Sequence, residues 1–267
     1  MSDGASFRRR VLAREVLLGT FIQLASPLAT EIVAQAGFDW LLVDLEHGSG
    51  SEATLLADLQ AMNGSGVRAM VRVESGERLR IGRALDAGAH GIMVPRITSA
   101  DQAAQVARFL RFPPQGVRGV ALGTRGAGFG RVAVADVSRL NEDVLGIMQI
   151  ETLESLESVD AIAAVDGADV LFIGPSDLSV ALGIPGQLDH PRFREALERI
   201  VDAARRHNKA VGTLLRNAQQ VEATVRQGIT FIGISSEASL LANAMRALAR
   251  DARAARPAAD PAAREAG

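Results

Sequence analysis

Cysteine is absent from the 267-residue chain, which excludes a disulfide scaffold, a thiolate metal site and a cysteine nucleophile. The absence fits a reducing cytoplasm. Long apolar runs are missing too. No stretch could span a bilayer, and the opening MSDGASFRRRVLARE carries basic residues with no apolar signal core behind them. A soluble, unexported, cytoplasmic protein is expected. Charge of either sign is scarce in excess: a net charge of -2 and a pI near 6.1 give no general electrostatic reason to bind nucleic acid or an acidic membrane. The expected partner is a small molecule.

What is present is ample material for a core, with 48% hydrophobic and 22% charged residues. Apolar runs bounded by Gly, Asp or Pro alternate with stretches of helical periodicity, the pattern of repeated β-α units on a parallel sheet. Strands are expected near 16–23, 39–44, 67–72, 90–94, 145–151, 169–173, 210–215 and 230–234. Helices are expected at 26–36, 51–63, 77–87, 99–110, 153–165, 191–207, 217–227 and 236–250, several closed by a glycine such as Gly37, Gly88 or Gly228. Eight such units over about 250 residues predict a single (β/α)8 TIM barrel, α/β in class, spanning residues 1–250. An open doubly wound sheet has no comparable use for all eight. Two stretches break the rhythm. Residues 111–132 form a long Pro- and Gly-rich connection, a length typical of lids or contacts, and the tail from 251 to 267 is Ala-, Pro- and charge-rich, read as disordered.

In a TIM barrel, chemistry gathers at the C-terminal ends of the strands. Asp44 closes the second predicted strand and His47 follows in VDLEHG; Arg72 closes the third; Gln149 and Glu151 end the fifth; Asp177 follows the sixth in FIGPSDLS. All of them fall on one rim. Gln149 and Glu151, two residues apart, share a strand face directed at the barrel mouth. Singly, Glu151 could cap the helix beginning TLESLE, and Asp177 could be a carboxylate favoured by a helix N-terminus. Their coincidence on one rim points instead to a site. Two carboxylates from different strands, without a histidine or cysteine cluster, suit a hard divalent cation such as Mg²⁺, Mn²⁺ or Co²⁺ better than zinc. Backbone N–H groups around Ser176 and Asp177 could hold a substrate carboxylate, with Gly174 and Pro175 shaping the turn.

The other candidates are few. Of four histidines only His47 lies at the active rim, where Asp44 could orient it as a general base. His90, His190 and His207 lie elsewhere. The chain has a single lysine, Lys209, at the wrong end of the seventh strand, which argues against a Schiff base. If carbanion chemistry occurs, a metal must be the electron sink.

The linked segments DWLLVDLEHG, GIMVPRITSADQA, FPPQGVRGV, QIETLESLE and VLFIGPSDLS resemble the metal-dependent hydroxy-oxo-acid aldolases, which include the 4-hydroxy-2-oxoheptanedioate and 2-dehydro-3-deoxyglucarate aldolases, with the citrate lyase β-subunit more distant. The resemblance covers about residues 14–250. It implies reversible cleavage of a 4-hydroxy-2-oxo acid to pyruvate, or a close analogue, and an aldehyde. Residue by residue it implies that Glu151 and Asp177 are metal ligands, and that Gln149, Gly174 and Ser176 line the substrate. It makes Arg72 the stabiliser of developing negative charge and His47 the base. Asp86, in ALDAG, matches an acidic residue that assists the histidine, and from the end of its helix could do so only across a subunit interface, consistent with the hexamers of the family. The segment ALGTRGAGFG and Glu237, where aspartate is usual, depart from the family pattern and bear on aldehyde preference or subunit contacts. Two alternatives stand beside this reading: a citrate-lyase-like acyl-CoA lyase, against which no basic patch for coenzyme A is evident, and a non-catalytic keto-acid-binding barrel, which would not need the metal pair or the histidine.

Overall fold

The computed structural model describes residues 6–256. Eight parallel strands, β1 (Leu17–Ile22), β2 (Trp40–Asp44), β3 (Arg68–Arg72), β4 (Gly91–Val94), β5 (Leu145–Ile150), β6 (Val170–Ile173), β7 (Ala210–Leu215) and β8 (Phe231–Ser236), pair in chain order and close β8 onto β1. The expected barrel is what forms.

Strand parity divides the apolar residues into two cores. Leu17, Phe21, Trp40, Leu42, Met70, Ile147, Phe172 and Phe231 fill the barrel interior, while the alternate residues face the helices. Trp40 stacks on Phe231 with ring centroids 4.2 Å apart and planes 6° from parallel. Gly19 makes room for that indole, since a Cβ there would lie 2.1 Å from Trp40 Cδ2. The interior is therefore packed solid, and polar side chains can gather only above it, at the strand C-termini.

A short helix α1 (Phe7–Leu12) lies ahead of the barrel and was not foreseen. Phe7 and Val11 join the interior core from the N-terminal end, and Arg8 forks onto the buried Asp169 carboxylate at 2.9 and 2.7 Å. Six residues with one apolar stripe, masked by three arginines, carry too little periodicity to announce a plug.

The outer helices are α2 (Pro27–Ala34), α3 (Glu52–Ala61), α4 (Arg78–Asp86), α5 (Ala100–Leu110), α6 (Leu153–Glu157), α7 (Val159–Ala163), α8 (Pro175–Ala181), α9 (Pro191–Arg206), α10 (Val221–Arg226) and α11 (Glu237–Ala254). Their starts carry Ser26, Ser99, Thr152 and Ser236 as N-caps. Several expected bounds change. The helix expected at 153–165 is interrupted at Ser158, and the one at 217–227 opens with a 3-10 turn over Ala218–Gln220. The last helix runs to Ala254, so the first residues of the tail read as disordered are helical; 257–267 lie outside the described residues. The 111–132 connection follows α5 and leads through a 3-10 helix, Val134–Glu142, to β5, at the rim opposite the strand C-termini. It packs on α4, where Gly126 sits against Leu85 O, so it cannot act as a lid over the site of its own barrel.

α11 is unlike the other helices. Of its 18 residues only Glu237 is buried, and Leu240, Leu241, Met245 and Leu248 are exposed, as are Leu28 and Ile32 on α2. No helix is long and apolar enough to cross a membrane among the described residues.

Candidate active site

β2 and β3 align Asp44 with Arg72, and the two side chains meet above the interior core. Arg72 donates from Nε to Asp44 Oδ1 at 2.9 Å and from Nη2 to Oδ2 at 2.7 Å. Asp44 also accepts from Gln23 Nε2 at 3.0 Å and from the backbone N–H groups of Glu46 and His47, each at 3.2 Å. Burial alone would push the Asp44 carboxyl up, but the Arg72 guanidinium, Gln23 and the His47 N–H together hold it below the ordinary carboxylate value. Every lone pair of Asp44 is thus committed.

This corrects the expected role of Asp44 toward His47. Asp44 grips the backbone of the loop that carries the histidine, not its ring. The carboxylate beside the ring is that of Glu46, with Oε2 3.8 Å from His47 Nε2, and the imidazole is 62% exposed at the mouth. Glu46 Oε2 also lies 3.1 Å from Arg72 Nη1, yet no donor is aimed at it, so the contact is one of charge alone. Burial raises the Glu46 carboxyl, and the neighbouring Asp44 and Asp177 charges add to the rise against the opposing pull of Arg72 and His47.

β5 delivers Gln149 and Glu151 to the same mouth. Gln149 Nε2 donates to Glu151 Oε2, and Glu151 Oε1 accepts from the backbone N–H of Arg96 at 2.9 Å. Arg96 adopts φ +52°, a left-handed conformation that is uncommon for a non-glycine residue and turns its N–H toward the carboxylate. Glu151 does not cap the following helix; Thr152 and Ser155 do so reciprocally. Burial, then the charges of Asp177 and Glu46, raise the Glu151 carboxyl. Gly174, closing β6, keeps this ground open: a Cβ there would lie 2.4 Å from Glu151 Oε2 and 3.0 Å from Gln149 Nε2. Ser176 and Asp177 follow, both exposed, in the first turn of α8.

The donor set fits a hard divalent cation. Once Asp44 and Arg72 neutralise each other, Glu46, Glu151 and Asp177 remain as mutually repelling carboxylates, and a buried oxygen of Glu46 has no donor. Among the described residues no three His, Cys, Asp or Glu side chains form a closed metal cage. Two carboxylates with open positions for water and substrate oxygens are the arrangement such an ion tolerates.

Asp86 does not join these residues. It ends α4 at the opposite rim, where it accepts from Arg118 Nη2 at 2.8 Å. His90 is also remote; burial brings it down to about 4 and its Nδ1 accepts from Ala69 N–H. His190 caps α9 and His207 lies 3.2 Å from Asp160. Lys209 precedes β7 at the far rim and donates to Val165 O at 2.9 Å.

Three contributors were given no role at the site from the sequence, although Glu237 was noted as a departure from the family pattern. Gln23, two residues past inward-facing Phe21, could have been found by strand parity. Glu46 stood between two recognised candidates. Glu237 accepts from Gln23 N at 2.6 Å and Leu24 N at 2.7 Å, which pins the loop that holds Gln23 against Asp44. Beside the carboxylates, a cavity of about 520 Å³ opens between β1, β6, β7 and β8, reached past Gln23 and Ser176.

Comparison with known proteins places the chain among others of this architecture. A family model described as HpcH/HpaI aldolase/citrate lyase matches residues 17–244. The 5-keto-4-deoxy-D-glucarate aldolase of Klebsiella pneumoniae is 37% identical over 243 residues, 91% of this chain and 94% of that protein. Among solved structures, an HpcH/HpaI aldolase/citrate lyase family protein from Burkholderia cenocepacia superposes with a TM-score of 0.86 at 34% identity, covering 92% of this chain and 98% of the other. An HpcH/HpaI aldolase from Desulfitobacterium hafniense gives 0.88 at 30% identity, covering 97% and 100%.

Proposed function

The chain belongs to the HpcH/HpaI aldolase/citrate lyase family, a carbon–carbon lyase of the aldolase type, and on that premise we propose that it cleaves 4-hydroxy-2-oxo acids reversibly to pyruvate and an aldehyde with a divalent cation held by Glu151 and Asp177. The observation that carries this reading is the pairing of Gln149 with Glu151 beneath the open face left by Gly174, next to Arg72.

When bound, the cation supplies Lewis-acid polarisation of the keto oxygen and balances the negative charge that develops on it. The remaining work falls to side chains. Arg72, locked by Asp44 through Nε and Nη2, keeps Nη1 facing Gln149 Oε1 at 3.4 Å, where a substrate oxygen can take the bond. Gln149 and Ser176 orient the oxo acid. His47, exposed at the mouth, takes the proton of the 4-hydroxyl as the C3–C4 bond breaks and its electrons pass to the pyruvate half; it returns the proton in synthesis. Lys209, at the opposite rim, supports a route without a Schiff base. Mg²⁺, Mn²⁺ and Co²⁺ all suit the oxygen donors. A cytoplasmic location belongs to the same reading, supported by the absence of cysteine.

A homo-oligomer is part of this proposal, a hexamer by the family resemblance. Its support is the exposed apolar stripe of α11, Leu240, Leu241, Met245 and Leu248, together with the exposed Leu28 and Ile32 of α2. In that assembly Asp86 would serve a neighbouring site. Light scattering giving a monomer mass would remove this element.

The function is tested by incubating purified protein and Mg²⁺ with a panel of 4-hydroxy-2-oxo acids and identifying both products. Stoichiometric pyruvate and aldehyde are expected; a panel that yields neither contradicts the proposal.

A further inference from the structure

Glu237 opens α11 without serving as its cap. Ser236 fills that place, its Oγ accepting from Ser239 N–H at 3.2 Å. Glu237 gives only Oε2 to its own helix, where it accepts from Ala238 N–H at 3.0 Å, and turns Oε1 across to the chain beyond β1, where it accepts from both Gln23 and Leu24. A bulge aims it there. Between the pairs Gly19–Gly233 and Phe21–Ser236, β8 carries one residue more than β1; Ser235 sits in this bulge at φ +57°, and the buried Thr20 hydroxyl donates to Ile234 O at 2.8 Å with Ser235 O 3.2 Å away. The Glu237 side chain is buried, so its bonds to the two N–H groups are charge-assisted and shielded from water.

Gln23, held in this way, reaches the site by two routes. Its side chain donates from Nε2 to Asp44 Oδ2, the oxygen that also receives Arg72 Nη2. Its backbone carbonyl accepts from Ser49 N–H at 2.9 Å, at one end of the loop that carries His47, while Asp44 takes the Glu46 and His47 N–H groups at the other. The loop lies close on Gln23, since a Cβ at Gly48 would be 3.3 Å from Gln23 Cα. A shift at the end of β1 therefore disturbs the anchor of Arg72 and the loop of His47 together. Resting on the aldolase reading above, we propose that Glu237 is a positioning residue for that reaction, which through Gln23 sets both the Arg72 guanidinium and the His47 loop. Its contribution is reach. An aspartate would carry the same charge and fall one methylene short of the two N–H groups; a glutamine would keep the reach and lose the charge.

The test compares wild type, Glu237→Asp and Glu237→Gln in pyruvate release from a 4-hydroxy-2-oxo acid, well below the unfolding temperature of each, beside backbone hydrogen exchange over residues 20–50. Glu237→Asp should lose roughly 10- to 100-fold, mainly in kcat, the scale of a misplacement of up to about 1 Å. Glu237→Gln should lose less, and the Gln23, Leu24 and Ser49 N–H groups should exchange faster in Glu237→Asp than in wild type. A role as a mere helix-terminal charge would give the reverse order, since aspartate suits that place and an uncharged amide does not. That reverse order, or full kcat with unchanged exchange in Glu237→Asp, overturns the assignment of Glu237 and leaves the aldolase reading in place. Glu237→Asp should also cost less in a Gln23→Ala background than in wild type, and losses that simply multiply overturn the route through Gln23. Wild type that releases no pyruvate with Mg²⁺, Mn²⁺ or Co²⁺ overturns the aldolase reading and this inference with it.

Discussion

Arg72 and Asp44 form a two-pronged ion pair at the ends of adjacent strands, 2.9 and 2.7 Å between their paired atoms, with both side chains nearly inaccessible to solvent. Removing one partner leaves the other charge buried. Asp44→Ala is predicted to cost about 3–5 kcal/mol in urea unfolding. The pair also sets an acid limit. The folded Asp44 carboxyl titrates below its unfolded value, near pH 4, so its stabilisation is complete above that pH and is lost as pH falls through the folded value. A wild-type stability profile with no such acid loss relative to Asp44→Ala would contradict the pairing.

Glu151 behaves in the opposite sense. Burial and the charges of Asp177 and Glu46 raise its carboxyl, so ionisation costs stability in metal-free protein once pH exceeds the folded value, and costs nothing below the unfolded one. Glu151→Gln is predicted to stabilise the EDTA-treated protein at neutral pH by on the order of 1 kcal/mol, a gain that vanishes below about pH 4. Wild type should be stabilised by Mn²⁺, by about 2.7 kcal/mol at a hundredfold excess over Kd and seen as a rise in Tm, and Glu151→Gln should not. Equal metal shifts in the two proteins would place the ion elsewhere.

Gly174→Ala inserts a methyl 2.4 Å from Glu151 Oε2. The carboxylate must move, and a displacement near 1 Å costs roughly 100-fold in rate. Overpacking adds about 1–3 kcal/mol of destabilisation. Kinetics with full wild-type kcat would show that the carboxylate need not hold this position.

His47 is largely exposed, so His47→Ala should change stability by no more than about 0.5 kcal/mol. Its kcat for cleavage should fall between about 100- and 10,000-fold, the usual range for a lost general base. Matching losses of stability and activity would assign the residue a structural role.

The barrel was legible because each strand is a short apolar run with a turn signal at either end, and because parity within a strand reads directly from the sequence: Leu145, Ile147, Gln149 and Glu151 face one way and change from apolar to polar at the mouth. The carboxylates, Arg72 and His47 could be placed on one rim for the same reason. Their partners could not. Whether Asp44 meets the His47 ring or its backbone depends on where a loop turns, and Gly48, whose Cβ would lie 2.2 Å from Asp44 O, shows how sharply it does. Glu237 was noted only as a departure from family pattern, although its extra methylene helps it reach the N–H groups of Gln23 and Leu24. The cavity beside the carboxylates carried no motif, because it is assembled from four strands and four helices far apart in sequence.

The most direct test of the account is pyruvate release from a 4-hydroxy-2-oxo acid by EDTA-stripped protein, before and after Mg²⁺, Mn²⁺ or Co²⁺ is restored, run beside Glu151→Ala. The account predicts activity that disappears with EDTA, returns with metal, and stays absent in Glu151→Ala at every metal concentration. Cleavage that survives EDTA, or persists in Glu151→Ala, would contradict it.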